Sequence, residues 1–129
     1  MNNKRLGTAF EKEVVNLLAK QDWWVHFISP DVTGAQPFDI IAVKGNDALA
    51  IDCKTSSRKH FRISRLEDNQ VFAFEKWLQC GNTMPLIFVK FGGEIAIVPY
   101  AILKKRKVVD LTEYMFERGY YGIRCKQQN

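Results

Sequence analysis

The sequence predicts an α/β domain in which a mixed central β-sheet of about five strands is flanked by helices. Two observations predict this fold class. Segments with helical and strand periodicity follow one another in the order helix, three strands, helix, two strands. Neighbouring strands are divided by glycine-containing segments typical of hairpin turns, Gly45-Asn46-Asp47 and Gly92-Gly93. With 129 residues the chain can build one core but not two, so we expect a single domain over residues 1–129.

The first half of the chain is predicted to contain one helix and three strands. Residues 8–20 carry apolar side chains at helical spacing, and Thr8 to Glu11 has the pattern of a capping box. Residues 23–28 are rich in strand formers. Residues 29–37 contain two prolines and a glycine and are predicted to form a loop. Two further strands are expected on either side of the first turn, at residues 38–44 and 48–54.

The second half begins with a predicted basic loop over residues 55–63. Ser64 to Glu67 has the pattern of a second capping box, which would open a helix through about Gln79, and Gly81 would end it. Two more strands and a short helix follow, at residues 86–91, 94–98 and from Pro99 to about Lys105. From Val108 onward the sequence is mixed and aromatic, and we predict no element there.

Composition narrows the class of protein. Hydrophobic residues make up 47% and aromatic residues 12% of the chain, which is ordinary for a folded domain and argues against disorder. No apolar run approaches the roughly 18–20 residues needed to span a bilayer. No signal-peptide core follows Met1 to Arg5, and the three cysteines suit neither a disulfide framework nor a CxxC metal site. We therefore expect a cytoplasmic protein without membrane contact.

The positive charge of the chain is clustered. The net charge is +5, and no acidic residue lies between Asp52 and Glu67. Five basic residues fall in that interval: Lys54, Arg58, Lys59, Arg62 and Arg65. A second basic run occupies residues 104–107. Clustered positive charge suits a polyanion, because neutralising phosphates releases counterions. The alternative is a solvated basic face that binds nothing.

The first predicted hairpin brings two carboxylates together. If Gly45-Asn46 is a two-residue turn, Lys44 pairs with Asp47, and Asp39 then lies directly opposite Asp52. Directly opposed residues point to the same face with Cβ atoms about 5 Å apart. Two like charges at that separation are destabilising unless something holds them. A divalent cation does so, since Mg²⁺ binds one or two carboxylates together with phosphate and water.

Lys54 adds an ammonium group to this pair. It follows Asp52 by two residues and therefore projects from the same face of the strand. Two alternatives remain open. A turn one residue longer would place Asp39 opposite Cys53 instead. A salt bridge from Lys54 to either aspartate would also account for these side chains without a metal.

Glu11 is the candidate for a third carboxylate. In the first predicted helix it lies beside Val14 and Leu18 on the apolar stripe, whereas Lys12 points away. A carboxylate on a surface that faces the core is costly unless it is paired or binds a metal. The alternative is that Glu11 is only the capping-box partner of Thr8.

Four short motifs occur in order along the chain. They are Gly7 to Glu11, Phe38 to Val43, Ala50 to Lys54 followed by Arg58-Lys59, and Asn69-Gln70 early in the second helix. Together they resemble the motifs of the PD-(D/E)xK nuclease superfamily, and in particular the Holliday junction resolvases of the archaeal Hjc and bacterial RecU types. The resemblance covers roughly residues 4–103. Each motif is short, and it is their order and spacing that make the resemblance specific.

The resemblance implies a restriction-endonuclease-like fold and a metal-dependent endodeoxyribonuclease. The implied metal ligands are Glu11, Asp39, Asp52 and the backbone carbonyl of Cys53. Lys54 would orient or activate the attacking water, and Gln70 would support the site from the second helix. The implied cofactor is Mg²⁺, with Mn²⁺ as the other candidate, and the implied reaction is hydrolysis of a phosphodiester.

The implied partner is DNA, chiefly a four-way (Holliday) junction that a homodimer would cut at two symmetric positions during recombination and repair. The side chains expected to contact DNA are Lys4, Arg5, Arg58, Lys59 and Arg62. We expect the protein to act at the nucleoid in the cytoplasm, as a chromosomal enzyme or as a phage protein in the host.

Departures from the family pattern leave the substrate open. The usual proline–aspartate pair is replaced by Pro37-Phe38-Asp39, Asp52 stands where glutamate is more common, and the C-terminal tail has no counterpart. Pro30-Asp31 is a literal proline–aspartate pair, but no strand is predicted after it. Two alternatives therefore stand beside a junction resolvase. One is a restriction- or repair-type nuclease on duplex or nicked DNA, and the other is a DNA-binding module without hydrolysis.

Overall fold

The computed structural model describes residues 2–28 and 36–116, with side chains from residue 9 onward. Within these ranges the chain forms three α-helices, seven β-strands and two 3-10 turns. The helices are α1 (Asn2–Lys20), α2 (Asp68–Gln79) and α3 (Tyr100–Arg106). The strands are β1 (Trp24–Phe27), β2 (Ile40–Lys44), β3 (Asp47–Ser56), β4 (His60–Arg62), β5 (Leu86–Phe91), β6 (Glu94–Pro99) and β7 (Val108–Asp110). The 3-10 turns are Ile63–Arg65 and Leu111–Glu113.

Five of the strands form the predicted mixed sheet, in the order β1-β2-β3-β5-β6. Strands β3 and β5 run parallel, and the other neighbouring pairs are antiparallel. The parallel pair requires a crossover, which β4 and α2 supply. The fold class expected from the sequence is confirmed.

The β2–β3 hairpin has the register predicted from its turn. Lys44 pairs with Asp47, and Ile40 pairs with Ile51. Gly45 adopts a φ of +60°, a left-handed conformation that such a turn requires and that glycine adopts without a steric penalty. The ladder continues past the end of β2, because the Asp39 amide donates to the Ile51 carbonyl at 3.1 Å. Asp39 is therefore aligned with Asp52, as the sequence predicts.

Both faces of the sheet are covered by apolar side chains. Helix α1 packs one face, where Phe10, Val14 and Leu18 join a cluster with residues of β2 and β5. The opposite face carries a second cluster, in which Phe74 of α2 and Tyr100 of α3 are buried. Burying each of these large side chains contributes roughly 1.5–3 kcal/mol to folding. The central strands are thus held rigidly at the point where their polar side chains emerge.

Both predicted capping boxes are wrong. Helix α1 begins at Asn2, so Thr8 to Glu11 is helix interior and Glu11 is not a capping partner. The second helix begins at Asp68, because Ile63–Arg65 is a separate 3-10 turn. Its capping pair lies three residues further on, where the Glu67 amide donates to Gln70 Oε1 at 3.0 Å. The Ser-x-x-Glu and Glu-x-x-Gln patterns overlap at Glu67, and the helix uses the second because Ser64 lies in the 3-10 turn.

The predicted basic loop at 55–63 is wrong in part. Strand β3 continues through Ser56, and β4 pairs antiparallel with β7 to form a two-stranded sheet. This pairing buries Phe61 and Val109 and gives structure to the segment after Val108, for which no element was predicted. Residues 117–129 lie outside the described part of the chain. No helix among the described residues is long and apolar enough to cross a membrane.

Candidate active site

Two aspartates lie at the same end of the β2–β3 hairpin. Asp39 precedes β2 and is 8% exposed, and its Oδ2 accepts a hydrogen bond from the Cys53 amide at 2.8 Å. Asp52 lies in β3 and is fully buried. The hairpin register thus fixes both carboxyl groups beside one another. The Asp39 carboxylate is also hydrogen-bonded to the backbone of β3, the strand that carries Asp52.

The Asp52 carboxylate has only part of its hydrogen-bonding capacity satisfied. Its Oδ1 accepts from Gln70 Nε2 at 2.8 Å. Its Oδ2 lies 3.3 Å from Lys54 Nζ in an ion pair but accepts no hydrogen bond from the described residues. A fully buried carboxylate is costly unless its oxygens are satisfied. Oδ2 is therefore the atom from which the site can bind a further positive group.

Gln70 connects the ammonium and the carboxylate. Its Oε1 accepts from Lys54 Nζ at 3.1 Å and from the Glu67 amide at 3.0 Å, while its Nε2 donates to Asp52. The side chain is 6% exposed. Because every polar atom of the amide has a partner, its orientation is fixed, and it holds Lys54 and Asp52 at a set separation.

Glu11 projects from α1 toward this cluster. Partial burial, followed by the negative charge of Asp39, raises the pKa of the Glu11 carboxyl to about 7, and Lys54 offsets part of this effect. Glu13 does not compete for the same place, because it forms an ion pair with Lys90 at 2.8 Å. Since Glu11 lies in the helix interior rather than at its start, the capping alternative for this residue is excluded.

The cluster carries more negative than positive charge. Burial, followed by the negative charge of Asp39, raises the pKa of Asp52 well above its usual range, and Lys54 opposes the shift. Desolvation, with the three surrounding carboxylates, also raises the pKa of the Cys53 thiol. The predicted ligand at this position is the backbone carbonyl of Cys53 and not its sulfur.

These residues fit a hard divalent cation. Oxygen ligands are what Mg²⁺ prefers, and Asp52 Oδ2 is a buried carboxylate oxygen with spare capacity. Among residues 9–28 and 36–116, no group of three or more His, Cys, Asp or Glu side chains is placed so that it could hold a metal ion by itself. Mg²⁺ commonly binds one or two carboxylates and takes its remaining ligands from water and phosphate, so a partial cage suits it. The ligand set of Glu11, Asp39, Asp52 and Cys53 stays a prediction.

The structure describes the side chains of only three of the five predicted DNA-binding residues. Arg58 and Lys59 lie between β3 and β4, Arg62 ends β4, and all three residues are exposed. The side chains of Lys4 and Arg5 lie outside those that the structure describes, as does the discounted Pro30-Asp31 pair.

Sequence reasoning missed two contacts that support the site. Asn69 Nδ2 donates to the Gln36 carbonyl at 2.7 Å and so ties α2 to the segment that leads into Asp39. The bond from Gln70 to the Glu67 amide was also missed, although the Glu-x-x-Gln spacing was visible in the sequence. Adjacent residues of α2 therefore hold both aspartate-bearing segments.

Comparison with known proteins places this chain in one family. The family model described as archaeal Holliday junction resolvase (Hjc) matches residues 2–124. The crossover junction endodeoxyribonuclease Hjc of Methanocaldococcus jannaschii is 28% identical over 109 residues, which span 82% of this chain and 77% of that protein. The crossover junction endodeoxyribonuclease Hje of Sulfolobus acidocaldarius is 27% identical over 112 residues, which span 86% and 73% of the two chains.

Solved structures agree on the fold. The structure of Archaeoglobus fulgidus Hjc, a Holliday junction resolvase from an archaeal hyperthermophile, superposes with a TM-score of 0.65 at 19% identity. The match covers 84% of this chain and 92% of that one. The resemblance drawn from the four sequence motifs is confirmed, and the chain belongs to the Hjc family of archaeal Holliday junction resolvases.

Proposed function

We propose that this protein is a metal-dependent endonuclease that resolves four-way DNA junctions by hydrolysing two phosphodiesters. The observation that carries the proposal is the buried pair Asp39 and Asp52 with Lys54 beside it, in a chain of the Hjc family. Two relatives are named crossover junction endodeoxyribonucleases, which supports the same reaction and substrate here.

The metal would be held by Glu11, Asp39, Asp52 and the Cys53 carbonyl, and Mg²⁺ is the cofactor we propose, with Mn²⁺ as a substitute. When bound, such an ion activates water for attack and neutralises charge on the phosphate. The affinity of the site comes from the excess negative charge of the cluster. Burial, followed by the negative charge of Asp39, raises the pKa values of Glu11 and Asp52, and a bound cation would relieve the second of these effects.

Lys54 is the residue we assign to the attacking water. Its ammonium is held by Asp52 Oδ2 on one side and Gln70 Oε1 on the other, at 3.3 and 3.1 Å. A cation fixed in this way can orient a water molecule toward the phosphate and stabilise the negative charge that develops in the transition state. Gln70 acts through Lys54 and Asp52 and is therefore a positioning residue.

The DNA-binding face is assigned to the basic residues around the site. Arg58, Lys59 and Arg62 lie directly after the strand that carries Asp52 and Lys54. Lys4 and Arg5 precede Glu11 on the same helix. Basic side chains next to the active site neutralise backbone phosphates without reading sequence, which suits an enzyme that selects its DNA by structure.

Paired cutting of two strands requires two active sites, so we propose a homodimer. Phe72 on α2 is 73% exposed, and Trp77 and Phe38 line an apolar groove beside it. Exposed aromatic groups next to an apolar groove are typical of protein interfaces, which supports this face as the dimer contact. We further propose a single nuclease domain over residues 1–129 that acts at the nucleoid in the cytoplasm, encoded by a chromosome or a phage.

Product mapping on matched DNA substrates tests the proposal. A four-way junction, a linear duplex and a nicked duplex of the same sequence are incubated with protein and Mg²⁺, and each strand is labelled in turn. Symmetric paired cuts in the junction alone are expected. Equal cutting of the duplex or nicked DNA would replace the resolvase with a general nuclease, and binding without cutting would indicate a non-catalytic DNA-binding module.

A further inference from the structure

A basic cleft lies immediately beyond the active-site end of β3. It is open to solvent, has a volume of about 410 Å³, and combines guanidinium, imidazole and hydroxyl groups. The side chains that matter most are Ser57, Arg58, His60, Arg62, Ser64 and Arg65. No carboxylate is among its lining residues in the described part of the chain. The cleft therefore offers hydrogen-bond donors and positive charge without a compensating acid.

The walls of the cleft are fixed by contacts within the protein. Arg65 Nη2 donates to the Thr55 carbonyl at 2.8 Å, and the guanidinium lies over the ring of the buried Phe61, 5.3 Å from its centroid. Ser56 Oγ accepts from the Arg58 amide at 3.2 Å and donates to the Arg58 carbonyl at 2.7 Å. This part of the cleft is therefore preformed, and a ligand would have to order only the exposed arginine side chains.

Two arginines in the cleft have no internal partner. The side chains of Arg58 and Arg62 are exposed, and neither guanidinium forms an ion pair or hydrogen bond with the described residues. A guanidinium presents its N–H groups as a fork that matches the paired oxygens of a phosphate. The chemistry of the cleft is thus that of a site for a phosphate group.

We propose that this cleft binds one backbone phosphate of the DNA strand that enters the active site, and so sets the register of the cut. The inference rests on the proposed nuclease function. Thr55 and Ser56 line the cleft and follow Lys54 on β3 by one and two residues, so at about 3.3 Å per residue the cleft begins roughly 3–7 Å away. Successive phosphates of a strand are further apart than its axial rise of about 3.4 Å per nucleotide, which places the bound phosphate about one or two nucleotides from the scissile one.

The test removes the charge of one phosphate at a time. Junctions with a single methylphosphonate at successive positions around the cut are bound to protein with Ca²⁺ in place of Mg²⁺. Neutralising the phosphate about one or two nucleotides from the cut should weaken wild-type binding about tenfold. We call this loss of affinity at one phosphate position the positional loss. In Arg62→Ala and Arg58→Ala it should shrink or disappear, while the losses of affinity at other positions remain. Both side chains are exposed, and thermal unfolding checks that the variants fold.

Lys59→Ala is the matched control. Lys59 lies between the two arginines and carries the same charge, but it is not among the residues that line the cleft. Its removal should lower overall affinity and leave the positional loss intact. If Arg62→Ala and Lys59→Ala behave alike, or if no single position stands out in the wild type, the cleft is not a register-setting site.

The two proposals fail separately in this design. A wild type that shows the positional loss in Ca²⁺ but cuts no DNA in Mg²⁺ keeps the cleft and overturns the nuclease. A wild type that cuts junctions with no positional coupling to Arg62 keeps the nuclease and overturns the cleft. If inorganic phosphate binds the backbone amides of residues 55–65 without competing with DNA, the cleft is a site for a free anion instead. If the wild type binds no DNA at all, both proposals are overturned.

Discussion

Replacing Glu11 with glutamine should stabilise the metal-free protein at neutral and alkaline pH. Partial burial and the charge of Asp39 raise the pKa of this carboxyl to about 7 from an ordinary value of 4.5. The folded protein therefore holds a proton that the unfolded chain releases between these values. Since the folded state binds more protons, the free energy of unfolding falls as pH rises from about 4.5 to 7 and stays low above that.

The size of the effect follows from the shift. A difference of about 2.5 pH units corresponds to about 3.4 kcal/mol at 1.36 kcal/mol per unit, which is an upper limit. Because Glu11 is only half-buried, solvent screening lowers this limit, and we expect about 1–2 kcal/mol. For a domain of this length the gain corresponds to a rise in Tm of about 4–8 °C at pH 8.

The assay is thermal unfolding in EDTA from pH 4 to 9, repeated with Mg²⁺. Glu11→Gln should lose part of the pH dependence of the wild type, and it should gain less stability from Mg²⁺ because a ligand is gone. Glu13→Gln is the control on the same helix. Because Glu13 is ion-paired with Lys90, this substitution should lower the free energy of unfolding by up to about 1 kcal/mol. Identical pH profiles for wild type and Glu11→Gln would refute the electrostatic account of the cluster.

Three further predictions follow from the contacts around the site. Gln70→Ala removes the partner of Asp52 Oδ1 and of Lys54, so denaturant titration should show a loss of about 2–3 kcal/mol, and junction cleavage should fall more than junction binding. Asn69→Ala leaves the Gln36 carbonyl without its hydrogen bond and should lower the free energy of unfolding by about 1 kcal/mol, measured by denaturant titration. The rate of junction cleavage should fall in parallel. Phe72→Glu should convert the proposed dimer to a monomer in sedimentation without a large change in Tm, because the side chain is exposed. An unchanged dimer would move the interface to another face.

The centre of the site could be predicted from sequence because it depends on a local turn. The two-residue turn at Gly45-Asn46 sets the register of β2 and β3, and that register alone brings Asp39 opposite Asp52. Lys54 follows from strand alternation on the same strand. These inferences need no knowledge of distant parts of the chain.

Other features depend on contacts that local patterns do not carry. The sequence could not show that β4 pairs with β7, because the two strands are far apart in the chain and each is only three residues long. The choice between two overlapping capping patterns depended on the 3-10 turn at Ile63–Arg65, which precedes the helix. The bond from Gln70 to Asp52 and the placement of Glu11 near Asp39 arise only when both helices pack on the sheet.

The central claim is that the cluster around Asp52 performs the chemistry and does not merely bind DNA. Cleavage of a four-way junction in Mg²⁺ and binding in Ca²⁺ are measured for wild type, Asp52→Asn and Asp47→Asn, an exposed aspartate at the opposite end of β3. Asparagine at position 52 keeps an oxygen for Gln70 but loses the charge, so cutting should be abolished while binding remains. Asp47→Asn should behave as wild type. Cutting by Asp52→Asn at the wild-type rate would contradict the account.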